Sequence, residues 1–278
     1  MTRETVLVLN CGSSSIKYQL VEVESGDVLA HGLAERIGED EGRLAHTGPG
    51  GEITRDEPIP DHETGLRSVL AAFEQAGPSL GEAGVVAVGH RVVHGGDRFA
   101  DPTVVDDHVA ATIKELIALA PLHNPANLTG IQVARAELPD LPHVAVFDTA
   151  FHQTLPRHAY TYAVPRQWRE EHGVRRYGFH GTSVSYVSRR AAELLGRDPA
   201  DVNLIVAHLG NGASITAVSG GRSVETSMGL TPLEGLVMGT RSGDVDPALA
   251  GHLRRVAGLT AEQVDEALNR QSGLLALA

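Results

Sequence analysis

Two stretches of the chain share one plan: an apolar run, a short polar turn with Gly, and a second apolar run. They are LVLNCGSSSIKYQL near the start and LIVAHLGNGASITAV past the middle. Laid over one another, Gly12-Ser13-Ser14-Ser15-Ile16 falls on Asn211-Gly212-Ala213-Ser214-Ile215. Runs rich in β-branched and apolar residues joined by Gly and Ser read as paired strands. Two such hairpins, each opening one half, predict a duplicated domain with a ligand gripped between the copies. Three hydroxyls, Asn10 and the ammonium of Lys17 exceed what a turn needs. Such a loop can surround a phosphate with N–H groups, hydroxyls and one positive charge. Alone, GSSS reads as a polar surface hairpin; its second copy argues for more.

Composition narrows the class. The 278 residues suffice for about two domains at roughly 150 residues each. Hydrophobic residues make up 42% and charged residues 21%, the balance of a chain with a real core. A net charge of −12 argues against general affinity for nucleic acid or an anionic membrane. An anionic ligand then needs a local cluster of Arg, Lys and N–H donors. The single cysteine, Cys11, permits no internal disulfide and suits a reducing compartment. No apolar run approaches the roughly 18 residues of a membrane span, and no leader precedes Val6, so a cytoplasmic protein is expected.

Strand-like and helix-like runs alternate, an α/β pattern with mixed sheets. Val85–Gly89, His143–Asp148, Tyr160–Val164 and Asn203–His208 read as strands, with more near Ile215 and Val224. His108–Ala120 carries Val109, Ile113, Leu116 and Ile117 at helical spacing. Asn124-Pro125 reads as an N-cap and first helical position of a helix running towards Leu138. Another helix is expected from Thr182 or Ser183 to Gly196, and a further one from Asp246-Pro247 through Val256. Glu39–Asp61, full of Gly, Pro and charge, reads as a turn-rich excursion. The domains are expected at 1–149 and 150–278.

Several motifs carry charge where chemistry could use it. In GHRVVHGGDRF, a strand would put Arg91 and Val93 on one face and His90, Val92 and His94 on the other. Guanidinium beside a small apolar group suits a short-chain carboxylate; an ion-paired structural Arg is the alternative. The two histidines lack a third ligand at zinc spacing. APLHNPAN places His123 before a helix, as a cap or as a donor. VAVFDTAFH runs a strand into Asp148, where α/β sites collect metal ligands and bases. RRYGFHGTSVSYV sets Phe179, His180 and Gly181 at a turn into a helix. MGLTPLEGLVMGTRSGDVDPAL supplies Pro232, Arg241 and Asp244 among Gly229, Gly235, Gly239 and Gly243, a loop suited to close packing on a ligand. Two arginines could neutralise a phosphoryl group in flight. The P-loop, Rossmann and protein-kinase signatures are absent.

Together these stretches, with ETSMGLTPLEGLVMGTRSGDVDP, resemble the acetate kinase family in order and spacing along nearly the whole chain. The resemblance implies an actin-like, sugar-kinase-like fold of two ribonuclease-H-like lobes. It implies reversible Mg2+-dependent transfer of the ATP γ-phosphoryl group to acetate, giving acetyl phosphate and ADP, by a cytoplasmic homodimer without nucleic-acid or membrane partners. Position by position it implies Asn10 and Asp148 on the magnesium side, and Ser13, Ser15 and Lys17 at the nucleotide phosphates. His208, Gly210, Asn211 and Gly212 form the second phosphate hairpin. Arg91 and Arg241 orient the carboxylate and stabilise the transition state, His180 donates to the transferring phosphoryl group, and His123 supports it. Val93, Leu122, Phe179 and Pro232 enclose the acetate methyl.

Family members continue beyond the stretch NRQSGLLALA, with an adenosine loop, an acidic magnesium residue and a terminal helix. The expectation is therefore an incomplete second lobe, with the 278-residue chain by itself binding ATP poorly, lacking appreciable kinase activity and tending to aggregate. A propionate or butyrate kinase, a non-catalytic nucleotide- or phosphate-binding module, and an inactive fragment are the other readings.

Overall fold

The opening hairpin forms as its pleat dictates. In a computed structural model, which describes residues 3–278, β1 (Thr5–Gly12) and β2 (Ser15–Glu22) pair antiparallel up to Gly12↔Ser15, leaving Ser13-Ser14 as the turn. Leu7, Leu9, Ile16 and Leu20 are buried, while Val8, Lys17 and Gln19 between them are exposed. This period of two makes one face of the sheet core and leaves the other for polar groups.

The sheet continues through β3 (Val28–Glu35), β4 (Gly42–Gly48), β5 (Gly51–Glu57), β6 (Val85–Val92), β7 (Thr103–Val104) and β8 (His143–Phe147). Its order is β5-β4-β3-β2-β1-β6-β8-β7, with β6 parallel to both β1 and β8. Helices α1 (His62–Ala76), α2 (Asp107–Glu115) and α3 (Asn124–Glu137) complete this first unit, which comprises the chain up to Gly95 and Asp101–Phe147. The fully buried Leu7, Leu20, Val69, Phe73 and Ala134 belong to one cluster that joins β1 and β2 to α1 and α3.

The second unit, Gly96–Ala100 with Asp148–Ala278, begins with α4 (Arg157–Tyr160), α5 (Arg166–His172) and α6 (Gly181–Leu194). Then β9 (Asn203–Leu209), β10 (Ala213–Ser219) and β11 (Arg222–Thr226) form an antiparallel sheet in the order β11-β10-β9. Val184 of α6 packs with Val206 and Val218 of that sheet. The stretch from Met228 to Val245 has no regular structure, and α7 (Leu249–Ala257), α8 (Ala261–Arg270) and α9 (Leu274–Leu277) follow. Among the described residues no helix is long and apolar enough to cross a membrane.

The structure corrects several expected elements. Glu39–Asp61 holds the hairpin β4–β5; its charges mark a sheet edge with a wet face, where polar residues discourage further pairing. Tyr160–Val164 is not a strand: α4 ends at Tyr160 and irregular chain follows to Pro165. So short an apolar run does not fix its own period. The helix expected over 108–120 is α-helical only to Glu115 and tightens to 3-10 over Leu116–Leu119. The N-cap of α3 is His123, with Asn124 already helical. The last expected helix begins at Leu249, because the Asp246 carboxylate takes the Ala248 N–H at 2.7 Å in a preceding turn.

Candidate active site

Three neighbouring strands of the first unit present a polar row. Asn10 on β1 stands opposite Lys17 on β2, and Leu9↔His90 pairing puts Arg91 of β6 on its other side. Arg91 Nη1 donates to Asn10 Oδ1 at 3.4 Å. Lys17 therefore lies below the serine turn, on the open face of the sheet, in a depression it shares with Val8, Asn10, Gln19, His31 and Leu33. Ser13 is exposed at the turn and Ser15 is half-buried at the head of β2.

β6 ends at Val92, so the pleat that was to align Val93 with Arg91 stops one residue short. Val93 is nonetheless buried. Its N–H and the backbone of His94 are held by Asn127 and Asn124 of α3. His123 is half-buried at the N-cap of α3, and Leu122 beside it is exposed. His90 pairs with a histidine far along the chain. Its Nε2 lies 2.9 Å from His143 Nδ1, and His143 Nε2 lies 3.1 Å from the Leu138 carbonyl. A carbonyl only accepts, so His143 donates from Nε2, and His90 donates from Nε2 to His143. Burial, then the neighbouring His143, pushes the His90 imidazole down to about 3.

In the second unit the helix α6 begins at a strained residue. His180 has φ 59°, the left-handed region that a non-glycine side chain adopts at a cost and that gathers at functional sites. Its Nδ1 lies 3.0 Å from Ser214 Oγ, and its ring stacks on His208 at 4.0 Å between centroids. His208 Nδ1 in turn lies 2.9 Å from Ser183 Oγ. A Cβ at Gly212 would stand 3.2 Å from Arg241 Nη1 and 3.7 Å from His180 Nε2, so guanidinium and imidazole both reach the bare backbone of the second hairpin. Gly239 N–H bonds to the Asn211 carbonyl at 3.0 Å, and a Cβ at Gly239 would overlap Asn211 Oδ1. The Gly-rich loop thus lies directly on the hairpin, as its glycines predict.

Asp148 follows β8, is buried, and accepts the Gly181 N–H on its carbonyl at 2.8 Å. Thr182 Oγ1 lies 3.5 Å from its carboxylate. Phe179, before His180, is fully buried; its carbonyl takes Nε2–H of His152, whose Nδ1 then accepts from Ser223 Oγ. Burial pushes His152 down to about 4, so it holds this turn as a neutral ring.

Motif reading missed the anchor of the Arg241 loop. Arg176 Nη1 donates to the carbonyls of Thr226, Ser227 and Met228, and Nη2 donates to Glu234 at 2.8 Å. Tyr162 donates to Glu234 and accepts the Leu230 N–H. Pro232, in the same loop, accepts Arg241 Nη1 at 3.0 Å. Burial lowers the Arg241 guanidinium from its ordinary value. The signal available was Arg176 itself, a second Arg next to a run otherwise explained by apolar and turn residues.

A hard cation such as Mg2+ binds one or two carboxylates together with waters and substrate phosphates. The buried Asp148 carboxylate fits that use. No group of three or more His, Cys, Asp or Glu among the described residues would hold a metal unaided.

The sequence model of the Acetokinase family matches residues 5–278. An acetate kinase of Leifsonia xyli subsp. xyli is 62% identical over 272 residues, spanning 98% of this chain and 68% of the relative. The crystal structure of Porphyromonas gingivalis acetate kinase superposes with a TM-score of 0.92 at 47% identity, over 98% of this chain and 69% of that one. A propionate kinase from Francisella tularensis also gives 0.92, at 43% identity, over 98% and 70% of the two chains. The chain therefore spans about two thirds of the length of its relatives. Its fold is the actin-like, sugar-kinase-like one those structures share.

Proposed function

The chain belongs to the acetokinase family, and from that premise we propose that the native protein transfers the γ-phosphoryl group of ATP reversibly to acetate, giving acetyl phosphate and ADP. The observation that carries the reading is the meeting of Arg241 and His180 at Gly212. A carboxylate nucleophile arrives ionised at neutral pH, so the site needs cations and donors rather than a base. One acetate oxygen forms a bond to the γ-phosphorus while the bond to the ADP oxygen breaks, and no proton moves. Charge spreads over the equatorial oxygens of the phosphoryl group. Arg241 and His180 Nε2 are donors of the kind that stabilise such charge.

Arg91 offers the fork that grips a carboxylate, and Asn10, Ser13, Ser15 and Lys17 border the nucleotide phosphates. His208, Gly210, Asn211 and Gly212 form their counterpart in the second unit, and His123 supports the phosphoryl group. The family resemblance is what supports assigning Val93 and Leu122 of the first unit, and Phe179 and Pro232 of the second, to the acetate methyl. Mg2+, when bound, would neutralise phosphate charge; Asp148 would hold it, and the family resemblance adds Asn10 of the first unit as a second candidate. Propionate is a second acceptor to weigh, since a propionate kinase shares the fold at 43% identity. A cytoplasmic homodimer belongs to the same reading, supported by the family resemblance, and sedimentation equilibrium measures it. The test of function is acetate-dependent ADP release by the native protein, with acetyl phosphate trapped as the hydroxamate. ADP release indifferent to acetate would overturn the proposal.

A further inference from the structure

Parallel pairing of β1 with β6 ends at Leu9↔His90. The next residues on the two strands are Asn10 and Arg91, whose side chains meet at 3.4 Å. Strands that have left the ladder splay unless something bridges them. Here a carboxamide does: Asn127 Nδ2 donates to the Cys11 carbonyl at 2.7 Å, and Asn127 Oδ1 accepts the Val93 N–H at 3.0 Å. One side chain replaces the missing rung, gripping β1 just after Asn10 and the other chain just after β6.

The first turns of α3 are built to deliver that amide. Asn124, Asn127 and Gly130 share one side of the helix at a spacing of three. At Gly130 a Cβ would stand 2.3 Å from Cys11 Sγ, so only glycine lets the helix approach β1 this closely. Asn124 is fully buried and Asn127 nearly so. Asn124 clamps the backbone of His94 at both ends, accepting its N–H at 3.1 Å and donating to its carbonyl at 3.0 Å. Buried amides in an otherwise apolar contact are costly unless bonded, and both are bonded to backbone.

We infer that Asn127 is a positioning residue for the transfer reaction: it fixes the spacing of Asn10 and Arg91 by bridging the ends of β1 and β6. The inference rests on the phosphoryl-transfer reading, which the wild-type assay tests separately. Asn127→Asp keeps the acceptor for Val93 and loses the donor to Cys11. Displacement of reacting groups by about 1 Å can cost up to about a hundredfold in rate. Asn127→Asp is therefore expected to lower kcat by about tenfold or more, while KM for acetate and for Mg-ATP change little.

Leu128→Ala, a buried neighbour on the same helix, is the control for stability alone. At a matched loss of Tm it is expected to keep the wild-type kcat. A second measurement needs no activity: amide exchange in the wild type should show the Val93 N–H as protected as the ladder amides of β6. Equal kcat losses in the two variants at matched Tm, or rapid exchange at Val93, would overturn the inference.

Discussion

His180 and His208 stack with their ring planes 22° apart and their centroids at 4.0 Å, and each ring is tied through Nδ1 to a serine, Ser214 and Ser183 respectively. The serine tie and the stack leave Nε2 of His180 directed at Gly212, in company with Arg241. A left-handed backbone is retained here because ring, serine and helix start together over-determine it.

Ser214→Ala tests that tie. Ser214 is fully buried, and removing its oxygen leaves the main chain of β10 unchanged. The imidazole then keeps the His208 stack but loses the serine tie, and the transition-state contact loosens. A fall in kcat of about tenfold or more is expected, with KM for acetate nearly constant. An unchanged kcat would remove His180 Nε2 from the reaction.

Arg91→Lys and Arg241→Lys should each be poor enzymes. A lysine ammonium cannot reproduce the planar two-point grip of guanidinium on carboxylate or phosphoryl oxygens. Losing one contact to developing charge costs about 3–4 kcal/mol, or roughly a hundred- to thousandfold in rate. For Arg241 the change also breaks the 3.0 Å bond to Pro232, so KM for acetate should rise as well. The readout is hydroxamate-trapped acetyl phosphate; near wild-type turnover in either variant contradicts the assignment.

Val93→Ala probes the acceptor pocket. Val93 is buried just past the end of β6, its N–H fixed by Asn127. If its side chain meets the acetate methyl, shortening it favours propionate by about one methylene, on the order of 1–3 kcal/mol in the ratio of kcat/KM values. A ratio that does not move places Val93 in the core instead.

The hairpins, the alternating strands and Asp148 at a strand end were legible because each follows a short rule: period two, Gly-Ser turns, charge at the end of an apolar run. The duplicated start predicted a second hairpin, and Asn211 and Gly212 lie in its turn, between β9 and β10. The edge hairpin β4–β5 was illegible because its polar face reads as loop until its partners in the sheet are known. Arg176, Ser214 and Asn127 escaped for a related reason. Each acts by bonding backbone or a ring from far along the chain, and no local pattern marks an asparagine as a rung. For Arg91 and Val93 the pleat rule holds only as far as the strand, and this strand ends at Val92.

Acid should destabilise both units at mild pH. His90 in the first and His152 in the second fold as neutral rings, with values pushed from 6.5 down to about 3 and about 4 by burial. Above 6.5 folded and unfolded chains bind the same number of protons at these sites, so stability is level. Below it the unfolded chain takes up a proton that the folded one refuses, and stability falls with pH until the folded values are reached. The slope approaches about 1.4 kcal/mol per pH unit for each histidine. Urea midpoints at pH 7, 6 and 5, before most carboxylates titrate, should decline in that order. Midpoints that stay level would show that these rings are protonated in the fold.

The central claim is that an acetate oxygen becomes bonded to the transferred phosphorus. Phosphorus NMR on the native protein with Mg-ATP and acetate labelled with oxygen-18 in its carboxylate reads that bond directly. The account predicts an acetyl phosphate resonance carrying the isotope shift of one labelled oxygen, growing in step with ADP. ADP forming without acetyl phosphate, or acetyl phosphate without the shift, would contradict it.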